Sequence, residues 1–196
     1  GEHGDSGIFD MQKILDEQGA EVAGSISQSG KYGPVGAMHW FAEPLYGYYY
    51  ANDEWVHRKH AELLTQANVD FLYFDVTNGY YYLNNALSVM KACHELNEQG
   101  FDAPQVVFYT HSGAENVVRG LYNDIYSKGL YEDTWFRIDG KPVIIAVEAE
   151  CSPECRAFFN IKMSQWPNEP DKLGGWPWMD FTRPQRVFSN LQGVPE

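Results

Sequence analysis

The sequence predicts an α/β protein built on a parallel sheet, and three observations carry that prediction. Short apolar runs alternate with segments of helical periodicity. The runs begin near positions 71, 105 and 142, two steps of about 35 residues, which is the rhythm of strand–helix–strand units. Each run passes directly into polar residues, as strands of a parallel sheet do where they enter the loops that lead to helices.

The elements follow in order. A short helical pattern covers Ile8 to Leu15, and the Gly/Ser/Gln stretch Gly24–Gly33 reads as a surface loop. Val35–Phe41 reads as a strand broken by Glu43-Pro44. Asp53 caps a helix whose apolar positions are Trp55, Val56, Leu63, Leu64 and Ala67. Phe71-Leu72-Tyr73-Phe74 is continuous enough for a strand buried on both faces. Leu83, Ala86, Leu87, Met90, Cys93 and Leu96 form one stripe of a second helix, ended by Gly100. Gln105–Thr110 is the next strand, and Val117, Val118, Leu121, Tyr122 and Ile125 stripe the next helix. Trp135–Arg137 and Val143–Val147 flank Asp139-Gly140, a hairpin signal. Ser152 and Pro153 then open a helix as N-cap and first residue. From Trp166 to Glu196 no period is visible. A closed eight-unit barrel takes about 250 residues, so 196 residues accommodate four or five units, a smaller open sheet or a truncated barrel.

Composition narrows the partners. A net charge of −13 keeps the chain soluble and excludes the basic footprint that nucleic acid or an anionic membrane needs. No stretch approaches the roughly 18 apolar residues of a membrane span. The chain opens on Gly1 without a signal-peptide pattern, which reads as a trimmed start. Cys93 falls in a helical stripe as a buried thiol; Cys151 and Cys155 are spaced for a bridge or for none. No CxxC pair offers a thiolate zinc site. Aromatic residues make up 15%, many of them beside Gly, Asn and Pro in loops. Rings beside polar groups suit partners with one apolar face and many hydroxyls, as sugars have.

In a parallel α/β fold, ligands sit at the carboxyl ends of the strands, so the polar residues there are the candidates. They are His39, Trp40, Glu43 and Tyr48 after the first strand, then Asp75, Thr77, Asn78 and Tyr80. Thr110, His111 and Ser112 follow the next, and Glu148 and Glu150 the last. Asp75 follows four apolar residues directly. Burial there would raise its pKa and suit it to acid chemistry, whereas a cap on the next turn through Thr77 or Asn78 would be structural. Glu43 is the second candidate carboxyl group, and plain solvation is its alternative. Two carboxyl groups across a cleft are what glycoside hydrolysis requires. His57 and His60 lie three apart on one helix with no third metal ligand nearby, so a surface pair is the simpler reading. No G-x-S-x-G elbow, P-loop or G-x-G-x-x-G is present.

Three strings carry a resemblance: His39–Tyr49 (HWFAEPLYGYY), Asp70–Asn78 (DFLYFDVTN) and Thr134–Ile144 (TWFRIDGKPVI). They resemble bacterial proteins of the glycoside hydrolase family 71/99-like group, in the right order and across residues 1–196. The Asp-Gly-Lys-Pro hairpin alone recurs in related barrel families. The resemblance implies a (β/α)8 TIM-like barrel, incomplete in this chain, with the first strand and late strands missing. Residues 1–196 would then be one barrel domain, a fragment of a longer catalytic domain. It also implies a secreted or periplasmic protein that hydrolyses glycosidic bonds in a polysaccharide or glycan. No late Asn-Glu-Trp-like motif occurs, so the carry-over is limited to pocket residues His39, Trp40, Glu43, Asp75 and Asn78.

The resulting expectation is a glycosidase with Asp75 and Glu43 as catalytic carboxyl groups. His39, Trp40, Tyr48, Asn78, Tyr80, His111 and Glu148 would bind the saccharide, with no cofactor and no metal. A non-catalytic carbohydrate-binding relative is the alternative. A metal-dependent hydrolase using His39, Asp75 and His111 is a weaker one.

Overall fold

The computed structural model describes residues 13, 15–17, 19, 44–47, 49–111, 113–166, 169, 170 and 172–177. The chain divides into two compact units, Gly1–Val56 and His57–Glu196. In the first, residues 13, 15–17 and 19 are helical, and Asp53 Oδ1 accepts the N–H of Trp55 at 3.0 Å and of Val56 at 3.2 Å. That bond pair caps helix α1 (Glu54–Gln66) as the sequence predicts. The loop expected at Gly24–Gly33 and the strand expected at Val35–Phe41 lie outside the described residues.

The second unit contains β1 (Phe71–Asp75), α2 (Leu83–Glu98), β2 (Gln105–Tyr109) and α3 (Ala114–Asp124). After these come β3 (Arg137–Ile138), β4 (Lys141–Ile145), α4 (Pro153–Phe158), β5 (Asn160–Gln165) and β6 (Gly175–Pro177). The sheet runs β1-β2-β4-β5-β6, every neighbour parallel, and β3 folds antiparallel onto β4. Asp139 (φ +52°) and Gly140 (φ +77°) make the two-residue hairpin turn, which requires positive φ at both positions.

This corrects the expected barrel: the described residues form an open half-barrel of five parallel strands, not a (β/α)8 barrel. Strict alternation fails after β5, because residues 166–174 joining β5 to β6 are fewer than the dozen or so a crossover helix needs. The half-barrel is nonetheless curved. A flat sheet would set β1 and β6 four spacings apart, about 19 Å. Instead the Trp176 ring centroid on β6 lies 6.2 Å from that of Phe71 and 6.4 Å from that of Tyr73, both on β1.

The two-residue period of the strands sorts their side chains. Val106, Phe108, Ile144 and Ala146 face the helices and pack against Met90, Val117, Val118, Leu121 and Phe159. Val107, Tyr109, Val143 and Ile145 face the concave side with Trp176, Phe71 and Phe136. Leu121, Ile144 and Ile145 are fully buried, and each such side chain contributes about 1.5–3 kcal/mol of burial. The concave face is therefore a core as well, and only its ends remain for a ligand.

Two expectations change in detail, the burial expected of Cys93 is observed, and the pairing left open at Cys151 and Cys155 is decided. β1 is partly buried rather than buried on both faces, because it is the edge of the described sheet; Tyr73 keeps 37% of its surface exposed. The segment after Trp166, expected to be featureless, contributes β6. Cys151 and Cys155 form no bridge; with Cys93 they are free, buried thiols. Ser152 does cap α4, its Oγ accepting the Cys155 N–H at 3.2 Å. Among the described residues no helix is long and apolar enough to cross a membrane.

Candidate functional site at the carboxyl ends of the strands

The strand register sets the floor of the site. Asp75 lies beside Tyr109, Tyr109 beside Ile145, and Ile145 beside Lys162, one row on the concave face at its carboxyl end. Tyr109 is fully buried, and its hydroxyl donates to the Trp176 carbonyl at 2.9 Å, with the Gln165 carbonyl at 3.3 Å. Its ring thus ties β2 to the far side of the half-barrel. Burial pushes the Tyr109 and Tyr73 phenols well above their usual range, so both stay neutral donors at any physiological pH.

One wall is the loop from β1 to α2. Asp75 is exposed, contrary to the burial expected of it; β1 lies at the edge of the sheet that the described residues form. Its Oδ1 accepts the Thr77 N–H at 3.0 Å and the Thr77 hydroxyl at 2.8 Å, which closes an Asx turn. Asn78 repeats the device: Oδ1 accepts the Tyr80 N–H at 3.2 Å, and Nδ2 donates to the Tyr82 hydroxyl at 2.7 Å. Tyr82 sits at φ +41°, a region that costs a bulky aromatic residue free energy.

The three consecutive tyrosines divide their labour. Tyr81 turns inward across Gly120 and donates to Asp124 Oδ2 at 2.7 Å. The Tyr80 ring is 62% exposed and lies 6.4 Å from the Tyr82 ring. Asp75, Asn78 and Tyr80 are thereby gathered on one loop.

The opposite wall comes from β2 and the β5–β6 connection. His111 follows β2 and stacks on Trp166, with centroids 4.5 Å apart and planes 18° apart. Its Nδ1 lies 3.4 Å from the hydroxyl of buried Ser164. Gln165, only 1% exposed, folds the connection back on itself. Its Oε1 accepts the Lys172 N–H at 2.8 Å, and its Nε2 donates to the carbonyls of Trp166 at 3.2 Å and Pro170 at 3.4 Å. Glu169 accepts the Trp166 N–H at 3.0 Å and pairs with Lys172 Nζ at 2.5 Å. Lys172 first, then the Trp166 amide and the His111 charge, hold the Glu169 carboxyl below the usual carboxylate range.

Of the other sequence candidates, Glu148 is exposed in a 3-10 turn (Glu148–Glu150) after β4. His39, Trp40, Glu43 and Tyr48 lie outside the described residues, so their place relative to Asp75 is not part of this geometry. His57 bonds through Nδ1 to Ser88 Oγ at 2.7 Å, joining α1 to α2 as a structural residue. Among the described residues no group of three or more His, Cys, Asp or Glu side chains is placed to hold a metal ion. Sequence reasoning missed Tyr109, Ser164, Gln165, Trp166, Glu169 and Lys172. The Trp166-Pro167 and Glu169-Pro170 pairs were the available signal, an aromatic and a carboxylate each fixed by a following proline.

A cleft of about 590 Å³ opens at the other end of the strands, lined by Asn68, Asp70, Phe71, Asp102, Gln105 and Phe136 among others. It lies at the amino ends of β1 and β2, away from the end at which parallel α/β folds carry their chemistry. No family model, no curated protein and no solved structure matches the chain.

Proposed function

We propose that the chain binds a glycan at the carboxyl ends of its parallel strands and hydrolyses a glycosidic bond there. Asp75 supplies one of the two carboxyl groups, in the manner of the family 71/99-like glycoside hydrolases that its sequence resembles. The observation that carries the reading is the β1–α2 loop, where an exposed carboxylate, an amide and the rings of Tyr80 and Tyr82 stand within a stretch of eight residues, Asp75–Tyr82. A sugar ring offers C–H groups to a tyrosine face and hydroxyls to an amide or carboxylate, so this loop matches both halves of its surface. The Asx turn fixes Oδ1 of Asp75 and leaves Oδ2 as the atom available to a substrate. Hydrolysis needs one carboxylic acid to protonate the leaving oxygen and one carboxylate to activate water or to attack the anomeric carbon. On this reading the protein acts outside the cytoplasm, where polysaccharide is met.

A second reading has a specific observation behind it. Both bonds to Asp75 Oδ1 come from Thr77, which is the pattern of a turn cap, and a non-catalytic glycan-binding protein would need no more.

One experiment separates the two. A panel of α- and β-linked oligosaccharides is assayed for cleavage and for binding by calorimetry, with wild type and Asp75→Asn. Asn keeps the acceptor for Thr77, so the turn and the fold are retained. Catalysis by Asp75 predicts a loss of about 100-fold or more in kcat/KM. Unchanged cleavage removes Asp75 from the chemistry, and saturable binding without product selects the second reading.

A further inference from the structure

We propose that Trp166 and Ser164 are positioning residues for His111, fixing its imidazole so that Nε2 meets a hydroxyl of the glycan. This inference rests on the glycan reading above and adds to it the residues that orient one of its contacts. His111 is the first side chain after Thr110, beyond the end of β2, where a loop residue ordinarily samples several rotamers. Two contacts remove that freedom. The indole of Trp166 lies nearly parallel to the imidazole, 4.5 Å away, which fixes the ring plane. The Ser164 hydroxyl, 3.4 Å from Nδ1, fixes which edge of the ring turns toward β5. Nε2 is then the imidazole atom left for a ligand.

The support is itself braced. The Trp166 carbonyl accepts from Gln165 Nε2 and the Trp166 N–H is held by Glu169, so the indole rests on backbone bonded on both sides. Ser164 is 2% exposed and Gln165 1% exposed. Gln165 ties the β5–β6 connection on which the indole stands, through its bonds to Lys172, Trp166 and Pro170, and the buried Ser164 hydroxyl faces the imidazole itself, so both buried polar groups support the ring pair.

The test is a double-mutant cycle on the wild-type chain, read by calorimetry against the tightest binder in a panel of glucose-, mannose- and galactose-based oligosaccharides. His111→Ala should weaken binding about tenfold, the value of one hydrogen bond made in a desolvated site. Trp166→Ala should weaken it as much, Trp166→Phe by no more than about threefold, and Trp166→Ala should add nothing in the His111→Ala background. Nitrogen-15 NMR of the ligand-free protein supplies the second readout. The His111 ring signals should move in Trp166→Ala and Ser164→Ala and stay near wild type in Trp166→Phe. Multiplying losses in the double variant would mean that Trp166 touches the sugar itself, and unmoved His111 signals would mean that nothing is being positioned; either overturns the inference. If wild type binds no saccharide in the panel, the glycan reading falls, and the NMR comparison alone decides the positioning claim.

Discussion

Replacing Gly120 with Ala should destabilise the chain by about 1 kcal/mol, even though Ala is the better helix former. In an open helix the change gains about 1 kcal/mol. Here the new Cβ would stand 2.8 Å from Tyr81 Cε1, 2.9 Å from its Oη and 3.0 Å from its Cζ. Overpacking of that kind costs about 1–3 kcal/mol. A tyrosine ring can often swing aside, but this one is tethered by its hydroxyl to Asp124 Oδ2 at 2.7 Å. Moving it sacrifices that bond, so the clash outweighs the helix gain. Tyr81→Phe releases the tether, and in that background Gly120→Ala should turn neutral or stabilising. Urea denaturation of the four proteins measures the cycle, and in heating the single variant should fall by about 2–4 °C. If Gly120→Ala is as stable as wild type with Tyr81 intact, the tether does not hold the ring, and Tyr81 is not what seats the loop that carries Tyr80 and Tyr82.

Three further outcomes follow from the same geometry. Gln165→Leu removes three hydrogen bonds at an almost fully buried position and should cost about 2 kcal/mol after the gain from a more apolar side chain; hydrogen exchange at the Lys172 amide should accelerate, and unchanged protection there would refute the bracing role. Burial pushes the Cys93 and Cys151 thiols up to about 11, so their neutral forms stabilise the fold fully below the unfolded thiol value of about 8.5 and that contribution is lost as pH rises through about 11. Denaturation midpoints should therefore drop between pH 8.5 and 11, less so in Cys93→Ala, and a flat profile in wild type would contradict the burial argument. Asp75→Asn should leave the denaturation midpoint within about 0.5 kcal/mol of wild type, because the exposed side chain keeps its bond from Thr77; a larger loss would make Asp75 a structural residue first.

The parts of the fold that the sequence foretold are those whose signal is local. β2 and β4 are apolar enough to announce themselves, α2 and α3 carry unbroken stripes, and the turn at Asp139-Gly140 admits few residue pairs. β5 was illegible because only Ile161 and Met163 of its six residues are apolar, its remaining positions being polar or charged. β6 has three residues, too few for any period. The burial of Asp75 was misjudged for a different reason: whether a strand is central or at an edge depends on distant pairings that a run of Phe and Leu does not encode. The candidate site divides in the same way. Asp75, Asn78 and Tyr80 were legible because they follow an obvious strand, whereas Trp166 and Glu169 depend on β5, which was not seen.

The most direct test of a glycan site at the carboxyl ends of the strands is amide chemical-shift mapping with the tightest-binding oligosaccharide. The geometry predicts that the shifted amides cluster at Thr77, Asn78, Tyr80, His111 and Trp166. Shifts concentrated instead at Asn68, Asp70, Asp102 and Gln105, around the opposite cleft, would place the ligand at the wrong end of the sheet and contradict the account.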